Sequence, residues 1–246
     1  MVGRDHPWSI SHRHYSHLLG VFPLALINPE VPGDSPLIQT SLQTWERDPS
    51  AFRGYSFTGA ASMYAMLGEG DSAVVRLHRF LDFPKYNEPN TFYAEAGPVI
   101  ETPLSAATSV QDLMLQSWGG ALRVFPAIPD AWREADFDQL RGQGAFLVSA
   151  VRHGGRTAWV KVRSLAGEPC HLVVRDWSRA VVRSHTGPVP TVRAEGDGHF
   201  SIDLAKGASV VLAPDASTRL PSIAPVPEAP GTRSYYPDWT RTGAQH

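Results

Sequence analysis

Apolar positions recur with a helical period in the first half of the chain and with a period of two in the second, so two kinds of packing are expected in one polypeptide. Asp34 or Ser35 can cap a helix with Pro36 in its first turn, which places Ile38, Leu42 and Trp45 on one face before Asp48-Pro49 stops it. A second helix is predicted from about Phe57, with Ala60, Ala61, Tyr64 and Leu67 on one side. Gly68-Glu69-Gly70-Asp71 breaks it, and Asp71 caps a third helix whose Val74, Leu77 and Leu81 face inward. So short a connection makes the two helices antiparallel. A fourth helix follows Thr102-Pro103, with Ala106, Val110, Leu113, Met114 and Ser117 on one stripe and Gly119-Gly120 at its end.

After about Pro129 the period shortens. Phe146, Val148 and Ala150 alternate with Leu147, Ser149 and Val151, and His153-Gly154-Gly155-Arg156 turns the chain into Thr157 to Val162, a hairpin signal. Further strand-like runs lie at His171 to Arg175, Ala180 to Ser184, His199 to Leu204 and Ala208 to Leu212, which predicts an antiparallel β-sandwich. Six of the 21 prolines fall in the last 33 residues, so Pro214 to His246 reads as an extended tail pinned by Tyr235, Tyr236 and Trp239. The expected division is therefore 1–130 helical, 131–213 sandwich and 214–246 Pro-rich tail.

Composition narrows the function. A formal net charge of −2 over 246 residues argues against a nucleic-acid or anionic-membrane partner, both of which need a basic surface. The longest apolar run, Val21 to Ile27, contains Pro23 and is far too short to span a membrane, and no leader is legible at the N-terminus, so localisation stays open. The lone Cys170 can form no internal disulfide and sits in no metal-binding spacing.

Two segments could carry chemistry. Ser11-His12-Arg13-His14-Tyr15-Ser16-His17 packs three imidazoles around a guanidinium; with no carboxylate or thiol at ligand spacing it suits a hydroxyl-rich ligand better than a metal. The same residues also fit a helix entry whose histidines fill polar gaps. In Glu95-Ala-Gly-Pro-Val-Ile-Glu101-Thr-Pro, Glu101 stands at a helix start, where unpaired amides stabilise negative charge; a carboxylate there can activate water, or can be an ordinary acidic first turn. Glu95 is a second carboxylate in that loop. Nearby aromatics, Tyr15 and Tyr55 among them, suit either a sugar cleft or a helical core.

His12 to Leu18 followed by Val21-Phe22-Pro23 resembles the His-Arg-His-x-Ser-His-Leu segment of glycoside hydrolase family 95, the inverting α-L-fucosidases. Gly54-Tyr55-Ser56, Met63 to Ala73, Leu113-Met-Leu-Gln-Ser117, Leu122 to Trp132 and Leu140 to Phe146 are similar to later family segments in the same order, over roughly residues 8–165. The resemblance implies part of an (α/α)6 toroid followed by the β-sandwich. It implies Arg13 and His14 as sugar contacts; Tyr15, Tyr55 and Glu95 are further candidates for the pocket, and no cofactor or metal is expected. It also aligns Glu101 with the family's water-activating aspartate, one methylene longer and without the Gly-Asn that follows it in the family. The family's general acid lies upstream of the His-Arg-His segment, so the resemblance implies a missing N-terminal half and an isolated chain lacking that acid, from relatives compatible with secretion. The expected partner is a carbohydrate. Two alternatives stand beside it: a non-catalytic carbohydrate-binding remnant, and a polysaccharide lyase in which Tyr15 or Tyr55 with His14 performs β-elimination.

Overall fold

A computed structural model describes residues 10–82, 93–94 and 98–225. A 3-10 turn at Ser16–Leu18 leads to α1 (Asp34–Glu46), α2 (Gly54–Met66) and α3 (Gly70–Leu81); the two-residue strands β1 (Tyr93–Ala94) and β2 (Pro98–Val99) precede α4 (Glu101–Met114). Strands follow: β3 (Leu115–Trp118), β4 (Ala121–Val124), β5 (Ala135–Gly142), β6 (Phe146–His153), β7 (Arg156–Ser164), β8 (Cys170–Val173), β9 (Val181–Thr186), β10 (Thr191–Gly196), β11 (His199–Asp203) and β12 (Ser209–Ala213). Helices followed by a β-sandwich is the expected class.

The helices differ from expectation in ways that tertiary packing explains. α2 begins three residues earlier than Phe57, and every residue but Tyr55 is buried, so it carries no apolar stripe because it has no solvent side. Its neighbours α3 and α1 are held by one ion-pair cluster: Arg76 donates from Nε and Nη2 to Glu46 at 2.9 and 2.7 Å, and Nη2 also reaches the Tyr64 hydroxyl at 3.0 Å. α3 buries Ala73, Leu77 and Phe80, while Leu81 points outward, so the buried face is turned from the one expected. Asp71 does not cap this helix.

α4 buries Thr102, Ser109 and Leu113 and leaves Val110 exposed, so a face of small polar side chains meets α2 in place of the apolar stripe. Ser109 Oγ donates to Thr58 O at 2.8 Å, and Gln116 Nε2 donates to Ala65 O at 2.8 Å. Seven residues separate the contacts on both segments, so α2 and α4 run parallel and their N-termini share one end of the pair. α4 stops at Met114: Gln116 and Ser117, read as helical, belong to β3, and the change to strands comes at Leu115, ahead of the boundary expected at 130.

The sandwich has two five-stranded sheets, β10-β11-β8-β4-β3 and β5-β6-β7-β12-β9. Pairings are antiparallel except β4 with β8, which run parallel. Inward residues of both sheets, including Leu122, Val148, Val160, Leu172, Phe200 and Leu212, form one core. Cys170 lies in it, and burial pushes its thiol up to about 12, an inert core residue. Beyond β12 the described tail straps the second sheet: Arg183 Nη1 donates to Thr218 O at 2.7 Å, Trp159 Nε1 to Pro221 O at 2.7 Å, and Ala224 N to Asp136 Oδ2 at 3.1 Å. Tyr235, Tyr236 and Trp239 lie outside the described residues.

The helical region and the sandwich are joined at Arg123. This β4 side chain is only 3% exposed; it donates from Nε and Nη2 to Glu30 at 2.9 and 2.7 Å and from Nη1 to the carbonyls of Trp118 and Ala121, with its guanidinium 3.3 Å from the centre of the Trp118 ring. Arg123→Met should lower stability by about 2–4 kcal/mol in urea unfolding, because the carbonyls and the ring lose their partner together. Glu30→Gln should cost well under half of that, since its carboxylate is 43% exposed.

Candidate functional site

The His-rich segment is fastened to the start of α2 by serine hydroxyls. Ser56 Oγ accepts from Arg53 N at 3.2 Å and donates to Arg13 O at 2.7 Å, while Ser11 Oγ donates to Asp48 O at 2.5 Å and accepts from Ala51 N at 3.1 Å. These bonds lay residues 11–15 across the N-terminal end of α2. Arg13 Nε donates to His14 Nε2 at 3.1 Å, which places the His14 proton on Nδ1, and the backbone N–H of His14 donates to His12 Nδ1 at 3.0 Å.

A ladder of rings runs inward from there. His12 and His14 are 5.4 Å apart, His14 and Tyr55 5.3 Å, and Tyr55 stacks on Tyr15 at 5.3 Å with planes 9° apart. Tyr15 meets Trp45 edge-on at 5.8 Å, and Trp45 lies 4.7 Å from Phe52. The outer rungs are exposed or half-buried, whereas Tyr15 is buried. Its phenol is therefore held above the ordinary tyrosine range, first by burial, then by the hydrogen bond from its hydroxyl to Tyr55 at 3.3 Å and by the charges of Tyr55 and Asp112. The site can thus present two imidazoles, a guanidinium and a half-buried phenol on an aromatic base, a set that donates to and accepts from hydroxyls.

Glu101 is exposed and is the first residue of α4. The parallel register sets each α4 residue level with the α2 position 51 lower, so Glu101 stands about one turn, ~6 Å, beyond the first residue of α2, at the end that carries Arg13, His14 and Tyr55. Glu95 lies outside the described residues. Two cavities lined by described residues are elsewhere: about 500 Å³ beside Met114 and residues 131–136, and about 320 Å³ at the Gly68–Ser72 turn with Ile128 and Asp130. Among the described residues no group of three or more His, Cys, Asp or Glu could hold a metal, and no helix is long and apolar enough to cross a membrane. Sequence reasoning missed Asp112, a carboxyl between α2 and α4 whose sequence neighbours gave no sign of its burial.

Residues 5–112 match the model of the "Glycosyl hydrolase family 95 catalytic domain", and residues 116–212 that of the "Glycoside hydrolase family 95, C-terminal domain". The chain belongs to glycoside hydrolase family 95. The junction between the two matches falls where α4 gives way to β3. The chain is also similar to alpha-L-fucosidase 2 of Arabidopsis thaliana, 28% identical over 151 residues; this alignment covers 57% of the chain and 18% of the relative.

The ladder depends on Gly59. A Cβ there would come 2.0 Å from the Tyr15 ring. Gly59→Ala should destabilise the protein by about 3 kcal/mol, the upper part of the range for overpacking, and should weaken the near-ultraviolet circular dichroism of the Tyr15–Trp45 cluster.

Proposed function

We propose that the chain carries the sugar-binding and water-activating part of a glycosidase that hydrolyses a terminal α-L-fucosyl or related bond with inversion. The observation that supports this most is the shared end of the parallel helices: Arg13, His14 and Tyr55 sit at the head of α2, and Glu101 begins α4 at that same end. In this reading the Arg13 guanidinium and His14 imidazole hold sugar hydroxyls, the Tyr55 ring lies against an apolar sugar face, and the Glu101 carboxylate takes a proton from the attacking water. Glu95 would stand at the pocket rim, and Tyr15 would support Tyr55 from beneath. Inversion needs an acid roughly 6.5–9.5 Å from that base, and the proposal assigns it to a region upstream of the His-Arg-His segment.

The relative's name, alpha-L-fucosidase 2, favours the fucosyl specificity. The lyase reading loses support on Tyr15, because a phenol held above its ordinary range is a poor base. In a titration followed by tyrosine and tryptophan fluorescence, L-fucose should bind this chain and D-galactose more weakly. Arg13→Ala should weaken fucose binding about tenfold or more, the loss of one to two charge-assisted hydrogen bonds, while Glu101→Gln should leave it within a few fold. With the acid-bearing region supplied, Glu101→Gln should abolish release of reducing sugar; unchanged release removes Glu101 from the base role. Binding with no release under any condition identifies a carbohydrate-binding module instead, and an unsaturated product absorbing in the ultraviolet identifies a lyase.

A further inference from the structure

Between α2 and α4 runs a line of hydroxyls with a carboxyl at one end. Ser109 Oγ lies 2.8 Å from Thr58 O and 2.9 Å from Ser105 O, two carbonyls that can only accept, so its single proton is committed to them. Ser62 Oγ, 3.0 Å from Ser109 Oγ, must therefore donate to Ser109, which uses its own proton. The Asp112 carboxyl lies against Ser62 and is left with nothing to accept from it: Asp112 Oδ2 is closed off from solvent and has no hydrogen-bond partner. A buried carboxylate oxygen in that state is costly, whereas a protonated one donates to Ser62 Oγ and satisfies every group in the line.

We propose that Asp112 in its protonated form heads a one-way hydrogen-bond relay, Asp112 to Ser62 to Ser109 to the α2 backbone, and acts as a positioning residue that sets α4 against α2. The two helices carry Glu101 and Tyr55 at their N-terminal ends, so the relay fixes the spacing of those ends. Ionisation would demand the proton of Ser62 for the carboxylate; Ser109 would then lose its donor, and the relay would break at the helix interface.

The surroundings agree. Burial, the larger effect, pushes the Asp112 carboxyl up to about 6 and outweighs the stabilisation that Ser62 would give the ionised form by turning its hydroxyl toward it. The titratable group facing it from the N-terminal segment is Tyr15, itself held neutral; from α2 it meets Ser62, and from β3 Gln116 donates through Nε2 to its backbone carbonyl at 2.9 Å. A folded-state value above the ordinary ~3.9 means that the folded chain keeps a proton which the unfolded chain has released. Stability from this group is therefore fully present below about pH 4, falls between about pH 4 and 6, and is flat above.

None of this involves a ligand, so it stands or falls apart from the sugar reading. Carbon-13 NMR of the carboxyl carbons of the 246-residue chain, with Asp112 assigned by its loss in Asp112→Asn, should show a midpoint near 6. A midpoint at or below about 4.5, within the ordinary range, overturns the proposal. Asp112→Asn, whose amide can still donate to Ser62, should match the wild type in Tm near pH 4 and exceed it near pH 7.5 by on the order of 5 °C. Asp112→Leu should lose amide-exchange protection at the α2–α4 contact that Asp112→Asn keeps; equal protection in both overturns the relay. Should the leucine variant fail to fold, the wild-type titration still decides.

Discussion

Everything at the helical end depends on how closely other elements can approach α2. The helix is buried along all but Tyr55, and small residues stand where the Tyr15 ring and α4 come near: Gly59 under the ring, and Ser62 and Thr58 against Ser109 of α4. Close approach removes water, and removing water obliges every polar group in the gap to find a partner inside the protein. The serine relay meets that requirement between the helices, and the stacked tyrosines meet it one step closer to solvent.

The same requirement shapes the junction with the sandwich. α4 does not run on into a loop; it turns directly into β3, and Gln116 spans the break by donating to Ala65 O and accepting from Trp118 Nε1. Arg123 then closes the joint with a stacked guanidinium that donates to Glu30 Oε1 and to the carbonyls of Trp118 and Ala121, a geometry that lysine could not copy. These bonds tie the sandwich to the ends of α2 and α4 opposite those that carry the candidate sugar contacts.

Chemically, the candidate site separates its duties by depth. Exposed and half-buried His12, Arg13, His14 and Tyr55 form the outer layer, while Tyr15 and Asp112 form an inner layer in which burial disfavours the charged form of each. An outer layer of donors and acceptors on a packed aromatic base suits a ligand recognised by many hydroxyls, because the base adds shape beneath the polar contacts.

The sequence by itself determined the four helices, the hairpin at Gly154–Gly155 and most later strands, since each is written in local periodicity and turn chemistry that survive in any packing. The His-Arg-His segment and Glu101 were also legible, because their residue types and order are local facts. Which side of each helix is buried was decided by tertiary structure: Ser109 inward and Val110 outward reverse the apolar rule, for close helix contact rewards small side chains over large ones. The end of α4 at Met114 followed from β3 pairing with β4, a contact no helical window can register. That Glu101 shares an end with Arg13, and that Asp112 Oδ2 is closed off beside Ser62, arise from one parallel helix pair, and the direction in which two distant segments run together is a property of the folded chain alone.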